Sequence, residues 1–98
     1  MAVTRGKSPV VLTATTDTLN ASADIGRLVW YVNEIRVING ANAGDVLLLD
    51  VNGGREIFRS TGLAANATDS TRWAEPQFVD DIYVSALPSG AVVHVYYI

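Results

Sequence analysis

Cysteine is absent from this chain, and histidine occurs once, as His94. The first absence excludes a disulfide framework and thiolate chemistry, so stability must come from packing, and the chain suits a reducing compartment. The second leaves any imidazole mechanism on a single side chain between Val93 and Val95, with no second ligand at metal-binding spacing. There is also no G-x-S-x-G nucleophile turn. The residues therefore predict a non-enzymatic protein with no cofactor and no bound metal, in which His94 is a half-buried residue of a sheet face or subunit contact.

Charge is scarce as well. Charged residues make up 17% of the chain and hydrophobic residues 49%, against a usual charged share of about 25%. At 98 residues the chain is long enough for one small core and too short for a second domain. A small monomer exposes proportionally more surface than a large one, so this shortage of charge favours an oligomer or a docked subunit. The net charge of -3 argues against nucleic acid as partner, since phosphate binding concentrates Lys and Arg on one face. Six of the seven cations are arginine, a residue enriched at protein interfaces. Long apolar runs are missing too: PVVLTAT, from Pro9 to Thr15, is too short for a signal core or a membrane span. No membrane partner and synthesis in the cytoplasm are expected.

What is present is β-forming. Residues 1–8 (MAVTRGKS) lack periodicity and read as a flexible arm, whose Arg5 and Lys7 would suit an acidic neighbour. Residues 9–98 read as a single domain. Pro9 to Thr15 is a first strand, and Thr16 to Gly26 a loop of turn formers. Arg27 to Asn39 (RLVWYVNEIRVIN) is rich in Val, Ile, Trp and Tyr and reads as strand; a bulge at Asn33-Glu34 reconciles the parity of Trp30 and Val32 with that of Ile35 and Val37. DVLLLDV is apolar on both faces, and Asn52-Gly53 marks a tight hairpin leading into REIFRS. TGLAANATDST is predicted as a long loop, and Arg72 to Phe78 as irregular or an edge strand, because Pro76 has no N–H for a ladder. Asp80-Asp81 reads as a solvated turn.

Ile82 to Ile98 (IYVSALPSGAVVHVYYI) predicts an antiparallel hairpin around Pro88-Ser89-Gly90. Ile82, Val84, Ala86, Val93, Val95 and Tyr97 fall on its core face. The opposite face carries Tyr83, Leu87, Val92, His94, Tyr96 and Ile98, too apolar for water, and is the predicted protein interface. Of these, Tyr83, Val92, Tyr96 and Ile98 are expected to be buried around the three-fold axis of a homotrimer. A rival reading gathers Trp30, Tyr31, Trp73 and Tyr83 into an aromatic sugar-binding platform, as in a carbohydrate-binding module. With about six or seven strands and no helical segment, the chain is predicted to be all-β, an antiparallel β-sandwich or small jelly roll.

The run DVLLLDVNGGREIFRST followed by WAEPQFVDDIYVSALPSGAVVHVYY resembles small all-β virion proteins of tailed bacteriophages, of the head decoration or cement type. The matching positions include Asp50, Gly53, Ile57, Pro76, Phe78, Ile82, Tyr83, Val84, Leu87, Ser89, Gly90, Val95 and Tyr96, and the resemblance covers about half of the chain. It implies a non-enzymatic structural subunit of the virion, commonly a trimer, that stabilises the capsid through contacts with the major capsid protein or neighbouring virion proteins. A tail or head-tail component is the related alternative.

Overall fold

The computed structural model describes residues 9–20, 28–51 and 54–98. Eight strands run in chain order: β1 (Val10–Leu12), β2 (Thr18–Asn20), β3 (Trp30–Ile38), β4 (Gly44–Asp50), β5 (Glu56–Leu63), β6 (Thr68–Val79), β7 (Asp81–Ala86) and β8 (Val92–Tyr97). They form two four-stranded antiparallel sheets, with orders β1-β8-β3-β6 and β2-β7-β4-β5. The ladders pair first strand with last, second with seventh, third with sixth and fourth with fifth. Successive pairs fall in opposite sheets, as if one long hairpin had been rolled up around its β4–β5 tip. The β3–β8 and β4–β7 ladders close the roll. This is the jelly-roll form of the β-sandwich, so the predicted all-β class holds, with eight strands rather than six or seven.

Alternation along the strands builds the core. Trp30, Val32, Ile35, Val37, Val93 and Val95 line the inner face of the first sheet, and Leu19, Val46, Leu48, Phe58, Ile82 and Val84 that of the second; all are buried. Fully burying each of the larger of these contributes roughly 1.5–3 kcal/mol before the cost of chain ordering. The parity change predicted in β3 is present: its register with both neighbours shifts between Val32 and Glu34. On β6, Val32 lies opposite Gln77 and Glu34 opposite Arg72, so Trp73 to Pro76 loops out with only Asn33 facing it. Pro76 therefore needs no ladder partner, and β6, paired to β3 alone, is an edge strand as its sequence predicts. Asn33 Oδ1 is buried there with no hydrogen-bond partner among the described residues, a local cost of about 1–3 kcal/mol that the surrounding pairing must outweigh.

Three sequence expectations change. Thr18–Asn20, assigned to a loop, is β2; its one apolar residue, Leu19, is buried, too short a pattern to signal a strand. TGLAANATDST is mostly strand: Thr61 to Leu63 ends β5 and Thr68 to Thr71 begins β6, leaving a turn at Ala64 to Ala67 with Asn66 at positive φ. The Ile82–Ile98 segment is not a hairpin, since β7 pairs with β2 and β4 while β8 pairs with β1 and β3. Leu87 to Ala91 instead carries the chain from one sheet to the other, with Gly90 at φ 86° and Ala91 N–H donating to the Pro88 carbonyl at 3.1 Å. Ala86, expected inward, instead stands opposite Leu47 on the outer face beyond a register shift in β7, while Ile82, Val84, Val93 and Val95 are buried and Tyr97 packs against the core. The inward residues of the two strands meet across the core instead of lying side by side, an arrangement that gives the same alternation.

Candidate interaction faces

The outer face of the first sheet follows from its register. Val11, His94, Arg36 and Ser70 stand in one row across the four strands. Tyr96, Glu34 and Arg72 form the next row, and Val92, Ile38 and Thr68 another. Toward the C-terminal end of β8, Tyr31 and Phe78 stand opposite each other with ring centroids 4.9 Å apart, edge to face, and Ile98 N–H donates to the Tyr31 carbonyl at 2.9 Å. Phe78 is 64% and Ile98 60% exposed, large apolar side chains that the fold itself leaves in water. His94 lies beside Tyr96, with ring centroids 6.3 Å apart. The charges on this face are paired: Glu34, nearly buried, meets Arg36 at 3.0 Å and the exposed Arg72 at 3.7 Å.

The outer face of the second sheet centres on Tyr83, which sits between Thr18 of β2 and Leu49 of β4. Leu47, opposite Arg59 of β5, extends the half-buried apolar strip, and Asp45, Glu56 and Asp81 surround it. Glu56 pairs with Arg59. Asp81 accepts a hydrogen bond from Asn20 Nδ2 at 2.8 Å, and Asp45 one from Gly62 N–H at 2.7 Å.

The predicted interface is thus split. Val92, His94 and Tyr96 share the outer face of the first sheet, with Ile98 just beyond the end of β8. Tyr83 is on the opposite side of the sandwich. Leu87, expected to face a partner, is partly buried against the core, because the register shift between Leu47 and Leu48 in the β4–β7 ladder reverses the parity beyond Val84. A single three-fold axis lined by Tyr83, Val92, Tyr96 and Ile98 is therefore not available: the argument for it required one hairpin face, and the two strands belong to different sheets. Arg5 and Lys7 lie outside the described residues. Residues the sequence reading did not assign to an interface also join the faces: Tyr31, Ile38 and Phe78 on the first, Leu47 and Leu49 on the second. The parity of Tyr31 against buried Trp30 was a usable signal for the first of these.

The four aromatics of the sugar-platform reading are dispersed. Trp30 is fully buried, with its ring 5.1 Å from that of Tyr97, and Trp73 packs against the core. Tyr31 and Tyr83 are on opposite outer faces. Among the described residues there is no pocket and no group of three His, Cys, Asp or Glu side chains placed to share a metal ion.

The remaining polar clusters hold connections in place. Asp17, almost fully buried, accepts from the N–H groups of Thr13 and Ala14 at 3.2 and 3.1 Å and so closes the β1–β2 turn. Asn39, 5% exposed, donates from Nδ2 to the carbonyls of Asn42, Leu63 and Ala64 and accepts from Gly40 N–H. At the other end, Asp50 Oδ1 accepts from the N–H groups of Asp80 and Asp81, while Arg55 Nε lies 3.3 Å from Asp50 Oδ2. The turn at Asp80-Asp81 is therefore tied down by a carboxylate on β4. Comparisons with models of protein families, with curated proteins and with solved structures each give no match to this chain.

Proposed function

We propose that this protein is a non-enzymatic structural subunit of a tailed-bacteriophage particle, a decoration or cement protein that stabilises the capsid through protein–protein contacts. The observation that carries this reading is the outer face of the first sheet. Tyr31, Phe78, Val92, Tyr96 and Ile98 give it an apolar, aromatic surface, and its one glutamate is already neutralised by two arginines. Aromatic and arginine side chains with few unpaired charges are the make-up of a protein interface. The jelly roll is a fold used by viral capsid domains, and by lectins and other proteins too, so it supports the reading only by analogy. In this role the subunit meets the major capsid protein or neighbouring virion proteins as well as its own copies, and its place is in the virion, after synthesis in the host cytoplasm.

The test is co-sedimentation of the purified chain with empty capsids, run beside a glycan array. Saturable capsid binding that raises the temperature of capsid disruption is the expected result. Glycan binding without capsid binding would replace this function with a carbohydrate-binding one.

A further inference from the structure

The two outer faces of the sandwich are opposite in charge and alike in apolar content. Among the described residues the first-sheet face sets Arg36 and Arg72 against Glu34, an excess of positive charge. The second-sheet face sets Asp45, Glu56 and Asp81 against Arg59, an excess of negative charge. Each excess surrounds half-buried apolar side chains on the central strands: Val92 and Tyr96 on the first face, Leu47, Leu49 and Tyr83 on the second.

Like faces brought together would oppose charges of one sign. Unlike faces pair arginines with carboxylates around two apolar centres. We infer that copies of this chain associate head to tail, the first-sheet face of one copy seated on the second-sheet face of the next. The contact is heterologous, and each copy offers one face of each kind. Because the two faces lie on opposite sides of the sandwich, successive copies extend as a stack and do not close around an axis shared by Tyr83 and Tyr96. This inference rests on the assembly part of the proposed function and names the partner as a second copy. Capsid co-sedimentation tests the particle, and the following experiment tests the contact, so either can fail alone.

Two variants of the full chain disable one face each: Tyr96→Asp on the first face and Tyr83→Asp on the second. Multi-angle light scattering on wild type, each variant and an equimolar mixture reads the outcome, with circular dichroism confirming the β fold. The wild type is expected to self-associate and each variant to run as a monomer, with self-affinity weaker by about thirtyfold or more, as for loss of a central interface aromatic. The mixture is expected to form a one-to-one dimer and nothing larger, since one intact face of each kind remains. If either variant misfolds, Arg72→Glu on the exposed edge strand reverses the charge excess of the first face; it is expected to weaken wild-type association, and added salt to reduce the difference. A monomeric wild type, a Tyr83→Asp chain that still self-associates, a mixture that stays monomeric, or unchanged association in Arg72→Glu would each overturn the inference.

Discussion

The two ends of the sandwich are held by different chemistry. At the end where β3, β5 and β7 finish, the side-chain amide of Asn39 is buried and bonds backbone carbonyls from two connections. Gly40 beside it approaches the third: a Cβ on Gly40 would lie 2.9 Å from the Gly90 carbonyl oxygen. At the other end the work falls to Asp50, whose carboxylate is 14% exposed and is shared between two backbone N–H groups and the half-exposed Arg55. The difference follows from the groups being tied, carbonyls at one end and N–H groups at the other. A buried tie among carbonyls has to be a neutral donor, because a charge there would be desolvated without a counter-ion. A tie among N–H groups can be a carboxylate, which accepts from them more strongly than an amide does, as the buried Asp17 also does in the β1–β2 turn.

The largest expected effect breaks the buried end. Asn39→Asp replaces the donor with a carboxylate facing three carbonyls, and an uncompensated buried charge costs about 3–5 kcal/mol. Urea unfolding should show that loss at neutral pH; a change under about 1 kcal/mol would mean the amide is not the tie described here. Asp50→Ala should cost less, about 1–2 kcal/mol, because water replaces part of what the Asp80 and Asp81 N–H groups lose. The same unfolding series checks it, and a cost equal to that of Asn39→Asp would erase the distinction between the ends. Arg55→Ala should be smallest, below about 1 kcal/mol, since its guanidinium is half exposed and its pairing with Asp50 is screened. Repeating the measurement in high salt sharpens the comparison. The Arg55 effect should shrink, while that of Asn39→Asp should persist.

Much of the local structure was legible before any coordinates. The bulge at Asn33-Glu34, the β4–β5 pairing, edge placement of the Pro76 strand and the inward set Ile82, Val84, Val93 and Val95 were all readable, although Asn52-Gly53, the turn expected between β4 and β5, lies outside the described residues. β2 was not legible, because a three-residue strand with one buried leucine is shorter than the pattern that signals it. The 61–71 stretch misled for a related reason. Its Thr, Ser, Asp and Ala residues are turn-prone in isolation, but Thr61 to Leu63 and Thr68 to Thr71 are held as strand by β4 and β3. The shared outward face of Val92, His94 and Tyr96 was readable as well, since all three lie at alternate positions of β8.

The sequence by itself determined which side chain of each long strand faces inward, because side-chain direction reverses at every residue whatever the strand is bonded to. It also determined the all-β class and the poverty of charge. Which strand lies beside which was decided only in the tertiary structure. The β7–β8 connection at Pro88-Ser89-Gly90 is compatible with a hairpin or with a crossing between sheets, and either choice buries Ile82, Val84, Val93 and Val95. The crossing prevails because β7 and β8 each bond to two other strands distant in sequence, β2 and β4 for one and β1 and β3 for the other. That choice separates Tyr83 from Tyr96 by the thickness of the core. Pairing between residues far apart along the chain leaves no local signature, so the same alternating pattern yields one sticky face in a hairpin and two in a jelly roll.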